Sequence, residues 1–117
     1  MKLQRLTYCT KPGHDGCVNT EGSEHAPQGW VHWCQGCECT HAIAVEKPFS
    51  NGAKWTFNGN MDLPTFSPSV KTWWQRWGKP HVCHYFLTNG KINYLSDTTH
   101  KFSGQTVDLM DLPWDER

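Results

Sequence analysis

Cys34-Gln-Gly-Cys37 is the stretch of this chain whose spacing points most directly to a chemistry. A two-residue spacer lets one tight turn aim two thiolates at a single ion. Cys39 and His41 follow at once, and Cys83 comes later, next to His84. A closed tetrahedral site takes four such donors. Cys34 and Cys37 supply two; His41 and Cys83 are the expected other two, with Cys39 the next choice. A knuckle clamped in this way to a remote strand would hold a small core together, so the expected cofactor is a structural zinc. Other readings stay open. Cys83 can be a small buried hydrophobe beside Tyr85 and Leu87, and a Cys-x-x-Cys pair can be redox-active, although that role wants a strand-to-helix context absent here.

The chain has six Cys, seven His and seven Trp in 117 residues. In a secreted protein the cysteines would suggest a disulfide framework, but the start, MKLQRLTYCT, carries no apolar signal core. A cytoplasmic setting and metal binding are therefore expected. Eleven basic residues balance eleven acidic ones, with no Lys/Arg run, so the field that a nucleic acid or an anionic membrane surface needs is missing. No apolar stretch approaches the roughly 20 residues of a membrane span.

The elements that must carry these residues are strands. Pro and Gly recur too often for long helices. Strands are expected over 29–33, 41–45, 54–58, 69–74, 82–88, 91–95 and 105–109, giving a mostly β, small single domain with a metal knuckle. The first 28 residues read as a loop-rich segment. A second metal at Cys9, His14, Cys17 and His25 is possible there, as are free cysteines and solvated histidines. Trp55 and Phe57 share a strand face and belong to the core. Trp73, Trp74 and Trp77 cannot share one side of a short strand, so aromatic surface should remain near Gln75, Arg76 and Gly78, where an extended peptide or another protein surface could dock.

Asn89-Gly90 between VCHYFLT and KINYL is the strongest hairpin signal. With those two residues as the loop, Thr88 faces Lys91, Leu87 faces Ile92, Tyr85 faces Tyr94, His84 faces Leu95 and Val82 faces Asp97. Cys83, Tyr85, Leu87, Ile92 and Tyr94 then line one face, while His84 and Asp97 become diagonal neighbours on the other. An imidazole held by a carboxylate is the standard arrangement for a general base. Candidate hydroxyls are Ser67 and Ser69 in PTFSPS, where Pro64 and Pro68 fix the backbone, although such a serine is ordinarily a turn or edge residue. His100 competes with His84 as base, with Asp97 three residues earlier to orient it. Gln105 and the Gly104 amide are candidate oxyanion donors.

Four ordered blocks, CQGCECTHAIAV, WTFNGNMDLPTFSPSV, CHYFLTNGKINYLSDTTHKF and SGQTVDLMDLP, resemble the BubE-type family of small bacterial and phage proteins, some of them mislabelled ammonia monooxygenase, from ubiquitin-like conjugation operons. The likeness runs from about Trp30 to Pro113. It implies a zinc-containing, serine-type, deubiquitinase-like peptidase that cuts after a ubiquitin-like protein's C-terminus, in a bacterium or the host cell of a phage. Carried over, the cysteine knuckle falls on Cys34 and Cys37, followed by Cys39 and His41, the Pro-Ser ending on Pro68 and Ser69, the Cys-His pair on Cys83 and His84, the Asp and His on Asp97 and His100, and the Gly-Gln on Gly104 and Gln105. This favours Ser69 as the nucleophile. The chain reads Asp97-Thr98-Thr99-His100 where the family pattern has Asp-Cys-Thr-His, so that Cys is no obligatory ligand here. Two other classes remain, a noncatalytic zinc module docking through its tryptophans, and a hydrolase whose metal activates water.

Overall fold

The Pro and Gly punctuation breaks the chain into strands. A computed structural model describes residues 2–9 and 25–114, and all regular structure among them is β. The strands are β1 (Gln4–Cys9), β2 (His25–Cys34), β3 (Cys39–Ala44), β4 (Thr56–Phe57), β5 (Phe66–Arg76), β6 (Lys79–Thr88), β7 (Lys91–Tyr94) and β8 (Thr106–Asp108). They form two antiparallel sheets, β1-β2-β3 and β4-β5-β6-β7-β8. No helix among the described residues is long and apolar enough to cross a membrane.

The mostly β reading holds, with three corrections. Gln4–Cys9 is a strand on the edge of β2, where a loop was expected. Its LTY run is too short to show a period, and it is recruited by tertiary pairing. The expectation of a second metal at Cys9, His14, Cys17 and His25 lies outside the described side chains. Next, β5 and β6 reach past Trp74 and before Val82 to meet in a two-residue turn at Trp77-Gly78, with φ of 52° and 74°. Gly78 adopts that left-handed backbone freely, which lets the ladder run to the pair Arg76 and Lys79.

The third correction concerns the hairpin. Asn89 and Gly90 have φ of 51° and 75°, and the pairs Thr88–Lys91, Leu87–Ile92 and Tyr85–Tyr94 form as expected. The register does not continue to Val82 and Asp97. After Leu95, whose amide donates to the His84 carbonyl at 2.8 Å, the chain turns at Ser96-Asp97, and the Thr99 amide reaches the Val82 carbonyl at 2.9 Å. Thr99 thus takes the position opposite Val82, and Asp97 sits at the turn beside His84.

The core lies between the sheets. Leu3, Ile43, Phe66, Val70, Tyr85, Leu87, Ile92, Tyr94 and Leu109 are buried together with Cys34, Cys37 and Cys83. Strict alternation along β6 buries His81, Cys83, Tyr85 and Leu87 and leaves Val82, His84 and Phe86 on the outer face. Trp55 and Phe57 are half-buried against the core, as expected. Trp74 packs inward against His81 with ring centroids 4.5 Å apart, while Trp73 and Trp77 stay 68% and 87% exposed.

Candidate functional site

On the inner side of β6, Cys34, Cys37, His41 and Cys83 bring one donor atom each to within 4.8 Å of one another, all four residues buried, and such a group could hold a metal ion. The knuckle between β2 and β3 provides the two Cys of the tight turn, β3 provides His41 and β6 provides Cys83, so the group joins the two sheets. A test of fit comes from His41: its Nε2 is buried with no hydrogen-bond partner, a costly state for an imidazole unless something else takes that lone pair. Three thiols and one imidazole are a donor set suited to a borderline-soft ion. Cys39 lies opposite Cys34 at the end of the β2–β3 ladder and outside this group.

The thiols share protons among themselves. Hydrogen bonds from Cys37 and Cys83 hold the Cys34 thiol far below its ordinary value, and the same bonds to Cys34 push Cys37 and Cys83 up. The Tyr94 hydroxyl lies 3.1 Å from Cys34 Sγ. Around the group, His81 Nε2 sits 3.2 Å from Cys37 Sγ and His100 Nε2 3.5 Å from Cys83 Sγ. Burial lowers the basicity of both rings. A Cβ on Gly36 would meet the His100 ring at 2.2 Å, so the knuckle takes glycine where the imidazole lies against it. Neither His81 nor the orphaned His41 nitrogen could be found from spacing alone; His81 reaches the group only because β6 alternates.

On the outer side of β6 lies a different arrangement. Between the pairs Phe66–Leu87 and Val70–Tyr85, β5 has three residues against one on β6, which makes a bulge of Ser67, Pro68 and Ser69 with a cis Ser67–Pro68 peptide. Pro68 has no N–H to give to the ladder, so pairing breaks there. Bulges re-aim side chains, and this one brings Ser69 Oγ to 3.2 Å from His84 Nε2. His84 Nδ1 in turn lies 3.0 and 3.1 Å from the two Asp97 carboxylate oxygens. A carboxylate only accepts, so Nδ1 carries the proton and Nε2 is left to accept from the Ser69 hydroxyl. The bond from His84 holds the Asp97 carboxyl below the usual aspartate range, and Lys71 Nζ adds a longer contact at 3.6 Å.

Thr98 fixes the His84 backbone from behind. Its buried hydroxyl accepts from the His84 amide at 3.1 Å and donates to the His84 carbonyl at 2.9 Å. Thr98 therefore braces the His84 backbone. Ser67 is exposed, with its carbonyl taking a bond from the Thr56 hydroxyl. His100 accepts from the Phe102 amide and faces Cys83, on the opposite side of β6 from Ser69. The Gly104 amide donates to the Tyr94 carbonyl at the end of β7 and the Gln105 side chain to the Lys101 carbonyl, so both expected oxyanion donors are engaged by the protein's own carbonyls.

A hydroxyl, an imidazole and a carboxylate in hydrogen-bonded series can generate a nucleophilic alkoxide without a metal. The sequence comparison agrees with that chemistry: the model of the bacterial ubiquitination-like system serine protease family, BubE, matches residues 9–95. The chain belongs to this family. The BubE match starts upstream of the Trp30 boundary expected from the sequence and stops short of Asp97, which the turn at Ser96-Asp97 places 3.0 Å from His84. No curated protein and no solved structure matches the chain.

Proposed function

We propose that the chain is a serine peptidase that cuts after the C-terminal residue of a ubiquitin-like protein, freeing it from a downstream segment or a conjugated amine, and that a zinc ion on Cys34, Cys37, His41 and Cys83 serves its structure only. The observation that carries the catalytic part is the series Ser69 Oγ, His84 Nε2, His84 Nδ1 and Asp97, each link 3.0–3.2 Å long. Ser69 Oγ attacks the scissile carbonyl carbon as its proton passes to His84 Nε2. The C–N bond then breaks with that proton going to the departing amine, leaving an ester on Ser69. Water, deprotonated by His84, opens the ester and restores the serine. Asp97 stabilises the imidazolium and keeps the ring in its working tautomer.

The four buried donors on the inner side would fill a tetrahedral shell with no place for water, which favours a structural ion over a water-activating one. The ion would supply cross-linking of the two sheets. The described residues then form one domain, with Leu3 in its core and β1 paired to β2.

The test is cleavage of a bacterial ubiquitin-like protein fused to a reporter. Wild type should release the ubiquitin-like protein with its native carboxyl terminus, read by intact mass, and Ser69→Ala should release none while retaining the same metal content. Full activity in Ser69→Ala would overturn the reading.

A further inference from the structure

Ser69 sits on the lip of a cleft that the reaction described above does not yet use. The cleft has a volume of about 390 Å³ and runs between β3 and β5, with Ala42, Phe49, Ala53, Trp55, Ser69 and Thr72 among its walls. Phe49 and Trp55 close it with rings set edge to face, their centroids 6.3 Å apart, and Trp55 Nε1 donates to the Ser69 carbonyl at 3.1 Å. No residue of β6 lines it.

The adjoining backbone is open. β4 covers β5 only at Phe66 and Ser67, so beyond the bulge the edge of β5 turned away from β6 has no strand partner among the described residues. Unpaired edges of this kind accept an extended peptide as an added strand, with main-chain hydrogen bonds supplying affinity and wall contacts supplying selectivity.

The direction of the scissile chain follows from proton delivery. His84 must hand its proton to the leaving nitrogen, so the leaving group lies on the β6 side of Ser69. The acyl chain must then extend to the other side, where the cleft begins. We propose that the cleft between β3 and β5 holds the acyl half of the substrate, the extended tail of the ubiquitin-like protein, as a strand added to β5, and that Phe49 and Trp55 select small side chains next to the scissile bond. This rests on Ser69 being the nucleophile.

The test uses two probes: the last six residues of a bacterial ubiquitin-like protein coupled to 7-amino-4-methylcoumarin, and the same six residues followed by a six-residue leaving peptide. Ala42→Trp and Ala53→Leu narrow the cleft and replace no residue of the triad or of the thiol group. Both should lower kcat/KM for the coumarin and the long peptide alike, at least tenfold and through KM, while a small fluorophosphonate labels Ser69 at the wild-type rate. A loss confined to the long peptide would assign the cleft to the leaving side and overturn the proposal, as would no loss on either probe. Wild type that neither labels nor cleaves would overturn the Ser69 reading and the proposal with it; normal labelling with unchanged cleavage overturns the proposal alone. Independently of these variants, the six-residue acid added to Ser69→Ala should slow hydrogen exchange at amides of Val70–Gln75, and unchanged exchange would contradict strand addition.

Discussion

Cys83 and His84 are consecutive in β6 and leave it on opposite faces, Cys83 into the thiol group shared with Cys34, Cys37 and His41, and His84 into its bonds with Ser69 and Asp97. A strand's side-chain period is two, so one register fixes both sites, and a slip of one residue would lose both together.

Removal of a zinc ion held by the thiol group should, on the proposed reading, act on activity through the fold. A structural zinc supplies roughly 10 kcal/mol or more of apparent folding free energy in small domains, far above ordinary domain stability. Chelation, or Cys34→Ser, should abolish activity and the near-ultraviolet circular dichroism signal in parallel. Lost turnover with an intact signal would point to metal chemistry instead.

Asp97→Asn keeps a hydrogen-bonding side chain at the turn but can hold His84 in the wrong tautomer. A fall in kcat of about 10⁴ is expected, as for the equivalent change in other serine peptidases, with little change in KM or metal content. Steady-state kinetics check this directly, and wild-type kcat would exclude Asp97 from the mechanism.

Asp97 also has a defined acid response. Its folded carboxyl titrates below the ordinary value near 3.9, chiefly because His84 donates to it. A depressed carboxyl stabilises the fold above the unfolded value, and that contribution is lost as pH falls through the lowered one. Carboxyl NMR titration should show the midpoint moving up toward the ordinary value in His84→Ala. Identical titrations in the two proteins would deny the bond.

Gly36→Ala tests the packing of His100 against the knuckle. The added methyl would overlap an imidazole held by the Phe102 amide. Overpacking of this sort costs about 1–3 kcal/mol, read as a lowered denaturation midpoint. Adding His100→Ala should recover part of the loss; no recovery would place the strain elsewhere.

The strands and the inner cluster were readable because they rest on local signals. The tight Cys34–Cys37 spacer, the Asn89-Gly90 turn and the period-two burial of Cys83, Tyr85 and Leu87 are each written within a few residues. Asp97 beside His84 was expected for a reason that did not hold, since the contact comes from the turn at Ser96-Asp97 and the Thr98 brace, not from a continued ladder. The bulge at Ser67–Ser69 was out of reach of pattern reading because it depends on which β6 residues β5 meets. β1 was missed for the same reason, as its partner is set by tertiary pairing.

Active-site labelling reports whether the Ser69 hydroxyl is activated by His84. A fluorophosphonate probe should modify the folded, metal-loaded protein once, and peptide mapping should put the adduct on Ser69. His84→Ala should slow that labelling on the order of 10²-fold or more, the scale of a lost general base. Labelling that persists in Ser69→Ala, or an adduct on Ser67, would contradict the account.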